Sequence, residues 1–288
     1  PGRCREARVD REQERDLGEF GFLRVRAAAP PVALADPAGN LERHREALER
    51  ARRDAVAVLL FPELSLTGYS CEDLFGSEDL LRAAFRALAA LARETEPGGP
   101  VVVAGAPLAA PDGRLYNTAF VLGAGRIAGA VPKLHLPNHG EFYERRFFAS
   151  GHDTALDVPD GRGGSFRLDA RQLFAVGDAR FALEICEDLW APRPPGADRA
   201  LAGAEVLLNP SASNELVAKA DYRRDLVRMA SAQRICGYLY AGAGPTESSK
   251  DVVFGGHLLA AENGAILAEG ERFRLDGAEL TTEFDVAR

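Results

Sequence analysis

At 288 residues the chain is long for one domain yet able to bury a single large core, and its 46% hydrophobic and 27% charged residues are ordinary for a soluble globular protein. A net charge of −8 argues against nonspecific binding to nucleic acid or to an anionic membrane surface. No apolar run approaches the roughly 18 residues that span a bilayer, which excludes a membrane-spanning helix.

Residues 1–16 are crowded with Arg, Glu and Asp and lack a hydrophobic signal core, so they read as a charged, flexible segment ahead of one domain over 17–288. A strand is predicted at Phe22–Ala28 from its alternation, then a helix from Asn40, as N-cap, to about Arg53, with Leu41, His44, Ala47 and Leu48 on one face. The apolar run Ala55–Phe61 reads as a strand. Ser77-Glu-Asp opens a helix from Leu80 to Arg93, which Pro97-Gly-Gly ends. A strand at Val101–Ala104 follows, and Asn117–Leu122 pairs with Arg126–Val131 across Gly123-Ala-Gly125 as a hairpin.

Residues 150–180 read as loop. Beyond them come strands at Phe181–Cys186 and Glu205–Leu208, a helix from Lys219 to Ile235, and a strand at Tyr238–Tyr240. A last hairpin, Leu258–Ala261 with Ala265–Ala268, turns at Asn263-Gly264. Alternating helices and strands with inserted hairpins indicate an α/β protein with a mixed sheet.

Three of the strands end in residues able to do chemistry. Phe61 is followed by Pro62-Glu63, Val131 by Pro132-Lys133, and Ile185 by Cys186-Glu187-Asp188. A thiol at a strand-to-loop break is where an α/β sheet presents a nucleophile, although a buried cysteine that merely packs is the competing reading. Attack requires a thiolate, and the acidic neighbours Glu187 and Asp188 disfavour a resting one. Transfer of the proton to a base during attack fits better. Glu63, at an apolar strand end, could take that proton, and the Lys133 cation could stabilise an oxyanion; each could equally be an ordinary surface charge.

Of 35 basic residues only Lys133, Lys219 and Lys250 are lysine, which singles these positions out, since arginine differs in shape and proton chemistry. The five histidines offer no rival centre. His44 reads as helix packing, His152 and His257 as isolated, and Pro137 between His135 and His139 disfavours a helical metal pair. A Cys-His pair using one of these last two is a minor alternative. Cys4, Cys71, Cys186 and Cys236 form no CxxC motif, so neither a disulfide framework nor a cysteine zinc site is expected, and the protein reads as reduced and cytoplasmic. Neither GxGxxG nor GxxxxGK[ST] occurs, so no nucleotide-phosphate loop is apparent.

Together these segments resemble the nitrilase (carbon–nitrogen hydrolase) superfamily, and more narrowly the glutaminase domain of glutamine-dependent NAD synthetases. The resemblance rests on Phe61-Pro-Glu-Leu-Ser-Leu-Thr-Gly-Tyr-Ser70, Pro132-Lys-Leu-His-Leu-Pro-Asn138, Glu141-Phe-Tyr-Glu-Arg-Arg-Phe147 and Ile185-Cys-Glu-Asp-Leu-Trp190. It extends to Asn209-Pro-Ser-Ala-Ser213, Tyr222-Arg-Arg-Asp-Leu226, Glu247-Ser and Asp251-Val-Val-Phe-Gly-Gly-His257, so that it covers roughly residues 18–275 in order.

This resemblance implies a four-layer α-β-β-α sandwich that associates with further copies of itself. It implies Glu63 as general base, Lys133 as oxyanion stabiliser and Cys186 as the nucleophile that attacks the side-chain amide of glutamine, releasing ammonia through a thioester. Tyr69, Phe142, Glu187, Ser213 and Lys219 match substrate-holding positions, with Glu187 facing the α-ammonium, and Glu141 is expected as the second glutamate that supports the lysine. The resemblance further implies that an NAD synthetase domain or partner chain receives the ammonia. ATP and magnesium belong to that part, and neither cofactor nor metal is expected in this chain. A stand-alone amidase acting on another small amide is the alternative. His139 stands where near relatives have tyrosine, His135 replaces an aromatic of many, and Lys219 stands where some have arginine.

Overall fold

The computed structural model describes residues 21–287. The charged segment 1–16 lies outside them. Strand β1 (Phe22–Ala29) leads to helix α1 (Pro37–Arg53). This helix starts three residues before Asn40, because Pro37 supplies a preset φ and lacks the N–H that a first turn leaves unbonded, and Asp36 caps it by accepting from the Gly39 N–H at 3.0 Å. Asn40 is not the cap. Its buried amide instead ties two loops together, accepting from the Ala33 N–H at 2.8 Å and donating to the Leu66 carbonyl at 3.1 Å.

Strand β2 (Val58–Leu60) follows, then helix α2 (Glu78–Glu94), capped by Ser77 and carrying Glu78 and Asp79 in its first turn. Strands β3 (Val101–Ala109), β4 (Leu115–Gly123) and β5 (Arg126–Pro132) form an antiparallel meander, with β4 and β5 paired as the sequence indicated. The stretch read as loop holds three further strands: β6 (Ala155–Pro159), β7 (Ser165–Asp169) and β8 (Phe174–Val176). Their apolar alternation is only two residues long, as in Phe166 and Leu168, too little to stand out from a glycine- and arginine-rich background.

Strand β9 (Ala179–Leu183) ends before the one-turn helix α3 (Glu187–Trp190), followed by α4 (Gly196–Leu201), β10 (Val206–Ser211), α5 (Lys219–Arg234) and β11 (Gly237–Gly242). The expected last hairpin is present as β12 (Leu258–Glu262) and β13 (Ala265–Glu269). A final strand, β14 (Ala278–Asp285), has no counterpart in the sequence reading. It pairs antiparallel with β1 along its whole length, from Phe22 opposite Asp285 to Ala29 opposite Ala278.

The strands form not one mixed sheet but two: an eight-stranded sheet in the order β14-β1-β2-β3-β4-β5-β7-β6 and a six-stranded sheet in the order β13-β12-β11-β10-β9-β8. Side-chain alternation explains the layering. Val58, Leu60, Val103 and Val131 of the first sheet meet Phe181, Leu183, Val206 and Leu208 of the second in one core. Leu59, Val102 and Phe120 face the other way, onto Leu41, Leu48, Leu88 and Leu91 of α1 and α2. The second sheet turns Ala182, Leu207 and Tyr238 toward Val227 and Ala230 of α5. The result is the four-layer α-β-β-α sandwich. β2 runs parallel to β1 and β3, and β9 runs parallel to β10, so the residues just after β2 and β9 emerge at strand carboxyl ends, where open α/β sheets place their sites.

Candidate active site

Glu63 stands three residues past β2, in a turn whose next residue, Leu64, has a φ of 51°. Gly105 of β3 makes that turn feasible: a Cβ there would lie 2.2 Å from the Leu64 nitrogen and 3.0 Å from the Glu63 carbonyl carbon. Glu63 is buried, and both of its carboxylate oxygens are bonded. One carboxylate oxygen, Oε1, accepts from Lys133 Nζ at 2.7 Å and from Asn117 Nδ2 at 2.6 Å. The other, Oε2, accepts from the Ala212 N–H at 2.8 Å, just beyond β10.

Lys133 follows β5 directly and is wholly buried. Besides Glu63 it donates to Glu144 Oε1 at 2.6 Å, and Tyr69 Oη donates to the same oxygen at 2.7 Å. Burial opposes the Lys133 charge, but Glu144 and Glu63 outweigh it and hold the ammonium well above the usual lysine range. One lysine shared by two carboxylates leaves an excess negative charge in a buried site. Glu144 carries that cost: burial raises its pKa to about 7, against the pull of Lys133.

Cys186 sits three residues past β9, at the entry to α3, with φ 45° and ψ −101°. A non-glycine residue in that region stores backbone strain of about 1–3 kcal/mol, a feature that gathers at reactive sites. The turn is held by the Cys186 N–H, which donates to the Pro210 carbonyl at 3.1 Å and to Asn209 Oδ1 at 3.2 Å. Burial, reinforced by the nearby Glu63 charge, pushes the thiol up to about 12 against Lys133 and a hydrogen bond with Ser211. The resting sulfur is therefore protonated, through burial and Glu63 rather than through Glu187 and Asp188, the neighbours to which the sequence pointed. The glutamate, the lysine and the thiol picked out at three strand ends thus meet in one buried, electrostatically coupled centre that draws on both sheets.

Glu141 does not support the lysine. It accepts a hydrogen bond from Asn214 Nδ2, and Glu144, one turn of chain further on, takes the place beside Lys133. In an irregular loop, spacing alone does not say which glutamate points inward. Tyr69 lies edge-on to Phe142, with ring centroids 6.4 Å apart, and to Phe254, at 5.8 Å. Lys219, at the start of α5, holds its Nζ 5.8 Å from the Phe142 ring and 5.4 Å from that of Trp190, and donates to Asn214 Oδ1. Burial lowers its pKa from the usual lysine value. Glu187 is part-exposed, with His139 Nε2 3.4 Å away. Ser213 is buried, and its hydroxyl accepts from Arg223 Nη2 at 3.3 Å. Glu187 and Trp190 line one groove, while Tyr69, Glu141, Phe142 and Glu144 line a second pocket.

Asn117, Glu144, Asn214 and Arg223 escaped the sequence reading as site residues; Glu144 and Arg223 lay inside matched motifs, but nothing local distinguished them. His44 packs as expected, buried and bonded to Ser65 Oγ at 2.9 Å, with burial lowering its pKa to about 4. His257 is not isolated: its ring bridges Arg223 at 3.0 Å and Glu269 at 2.9 Å. Nor is His152, whose ring lies edge-on to that of His135 at 5.2 Å. Among the described residues no group of three or more His, Cys, Asp or Glu side chains could hold a metal, and no helix is long and apolar enough to cross a membrane.

The carbon–nitrogen hydrolase family model matches residues 24–285, which include every residue of this centre. The chain belongs to the carbon–nitrogen hydrolase family. It is 40% identical over 279 residues to a glutamine-dependent NAD(+) synthetase of Mycobacterium tuberculosis, a match covering 92% of this chain and 40% of the relative. The human glutamine-dependent NAD(+) synthetase is 31% identical over 255 residues, with 85% of this chain and 35% of that protein covered. This carbon–nitrogen hydrolase chain therefore spans well under half the length of the curated relatives it matches. The glutamine-dependent NAD(+) synthetase of Cytophaga hutchinsonii superposes with a TM-score of 0.81 and 28% identity over 91% of this chain and 43% of that one. An amidase of the nitrilase superfamily from Nesterenkonia shares the fold along nearly its whole length, with a TM-score of 0.74 and 20% identity over 93% of this chain and 92% of the amidase.

Proposed function

We propose that this chain is a glutamine amidohydrolase that releases ammonia through a thioester on Cys186. The observation that carries the reading is the Lys133 ammonium, bonded to both Glu63 and Glu144 inside a buried site whose charges reach the Cys186 sulfur. A protonated thiol beside a buried carboxylate suits attack coupled to proton transfer. Sγ bonds to the amide carbon as Glu63 takes the thiol proton, and the oxyanion that forms lies against Lys133. Collapse breaks the C–N bond, and the proton on Glu63 leaves with the nitrogen as ammonia. Water, deprotonated by Glu63, then attacks the thioester carbon. Glutamate departs and the sulfur regains its proton.

Glu187 is the partner of the substrate α-ammonium, and Lys219 supplies a positive charge for the α-carboxylate. Tyr69 and Phe142 form an aromatic wall, and Ser213 supplies a polar contact. The relatives' names support a role in feeding ammonia to an NAD synthetase. In this reading the synthetase is ATP-dependent and carried on a further domain or chain, and the chain works in the cytoplasm within a homo-oligomer. A stand-alone amidase using the same three residues is the second reading, supported by the full-length fold match to the Nesterenkonia amidase.

Ammonia release from glutamine, measured against a panel of small aliphatic amides with and without an added synthetase, separates the two. Glutamine is the expected preferred substrate, and a tenfold or greater preference for an aliphatic amide, about 1.4 kcal/mol or more, would overturn the first reading. A diazo-ketone analogue of glutamine should label Cys186 alone among the cysteines, and Cys186→Ala should abolish both labelling and turnover.

A further inference from the structure

Asp188 is buried inside α3, two residues beyond the cysteine, and all of its bonds go to backbone nitrogens. Oδ2 accepts from the Ile185 N–H at 2.9 Å, while Oδ1 accepts from the His135 N–H at 2.7 Å and the Leu134 N–H at 3.2 Å. Ile185 immediately precedes Cys186, and Leu134 and His135 immediately follow Lys133. One carboxylate therefore joins the end of β5, in the eight-stranded sheet, to the end of β9, in the six-stranded sheet. The two sheets otherwise meet mainly through apolar side chains, which fix spacing far less directionally than hydrogen bonds do, and the Ala212 N–H bond to Glu63 fixes the general base but neither Lys133 nor Cys186 directly.

We infer that Asp188 is a positioning residue for amide hydrolysis, setting the Lys133 ammonium in register with the Cys186 sulfur. The inference rests on the amidohydrolase reading but not on the identity of the amide. Its chemistry needs a carboxylate. An asparagine of the same size offers one acceptor oxygen and turns an NH2 toward an N–H that must be accepted, so one loop or the other is released. The bonds bypass the substrate, so the loss falls on reaction geometry rather than on binding.

The test compares Asp188→Asn and Asp188→Glu with the wild type. In Asp188→Asn, kcat should fall about 100-fold, the scale expected for misplacement of reacting groups by about 1 Å, while KM stays within about threefold. Alkylation of Cys186 by iodoacetamide, which requires no substrate, should slow about tenfold. Asp188→Glu retains the charge and should recover part of both. If glutamine is not hydrolysed but another amide is, the glutamine reading fails and the split between kcat and KM is read on that amide; if no amide is turned over, the alkylation rates decide. Folded Asp188→Asn protein with wild-type kcat and an unchanged alkylation rate overturns the inference. Failure of both variants to fold also counts against it, since it would make Asp188 a determinant of folding rather than of position.

Discussion

Lys133 Nζ lies 2.7 Å from Glu63 Oε1, and neither side chain is reached by solvent. Such a pair gains little over an apolar equivalent, but removing one partner strands the other. Lys133→Met is therefore expected to leave Glu63 and Glu144 facing each other with no cation between them. The loss should be about 3–5 kcal/mol of stability at pH 8, with no measurable turnover. Urea unfolding of the variant checks this, and a stability equal to wild type would show that the two carboxylates are relieved in some other way.

Glu144 predicts a distinctive pH dependence. Its folded-state pKa of about 7 is above the ordinary glutamate value, so its contribution to stability is complete below pH 4.5 and is lost as pH rises through 7. Glu144→Gln lacks that titration. From pH 5 to pH 8 the variant should gain on the wild type by about 1–3 kcal/mol, while its turnover is impaired because Lys133 and Tyr69 lose a charged acceptor. Denaturation curves at the two pH values test the sign, and a difference that stays flat or shifts toward the wild type defeats the assignment.

Glu187→Gln should separate recognition from chemistry. The α-ammonium of glutamine loses its counter-charge, so KM for glutamine should rise at least tenfold with kcat within about threefold. Small aliphatic amides lack that ammonium and should be hydrolysed as by the wild type. Equal effects on both substrate types would move Glu187 from substrate binding to support of the Cys186 turn.

Gly105→Ala reaches the site through the backbone. The added methyl group would meet the Leu64 nitrogen at 2.2 Å, and backbone cannot swing aside as a side-chain tip can. The Glu63 turn should be displaced, costing about 1–3 kcal/mol of stability and at least about 100-fold in kcat. Thermal unfolding and glutamine hydrolysis measure the two losses, and wild-type kcat in the folded variant would rule out this route to Glu63.

Much of the centre was legible along the chain because its signals are local. An apolar run that stops at Pro62-Glu63, Pro132-Lys133 or Cys186-Glu187 marks a strand end whatever lies across the fold. The α2 cap at Ser77 and the Asn263-Gly264 turn are equally short-range, and both stand where the sequence put them. The sequence could not choose between Glu141 and Glu144, because the loop that carries them has no period and its orientation is set by Lys133 and Tyr69. Nor did it reveal that β14 zips onto β1, a pairing between chain segments some 250 residues apart with little apolar alternation of its own.

By itself, then, the sequence determined the order of the longer elements, though not β6, β7, β8 or β14, and the three strand-end groups at which chemistry is available, since periodicity, capping and turn preferences act over a few residues. The tertiary structure alone decided that these groups meet. Glu63 and Lys133 are 70 residues apart, and the Ala212 N–H that orients Glu63 is 149 residues beyond it. The first distance is closed by the pairing of β2, β3, β4 and β5 side by side in one sheet, and the second by packing that sheet on the other, a non-local burial of apolar faces.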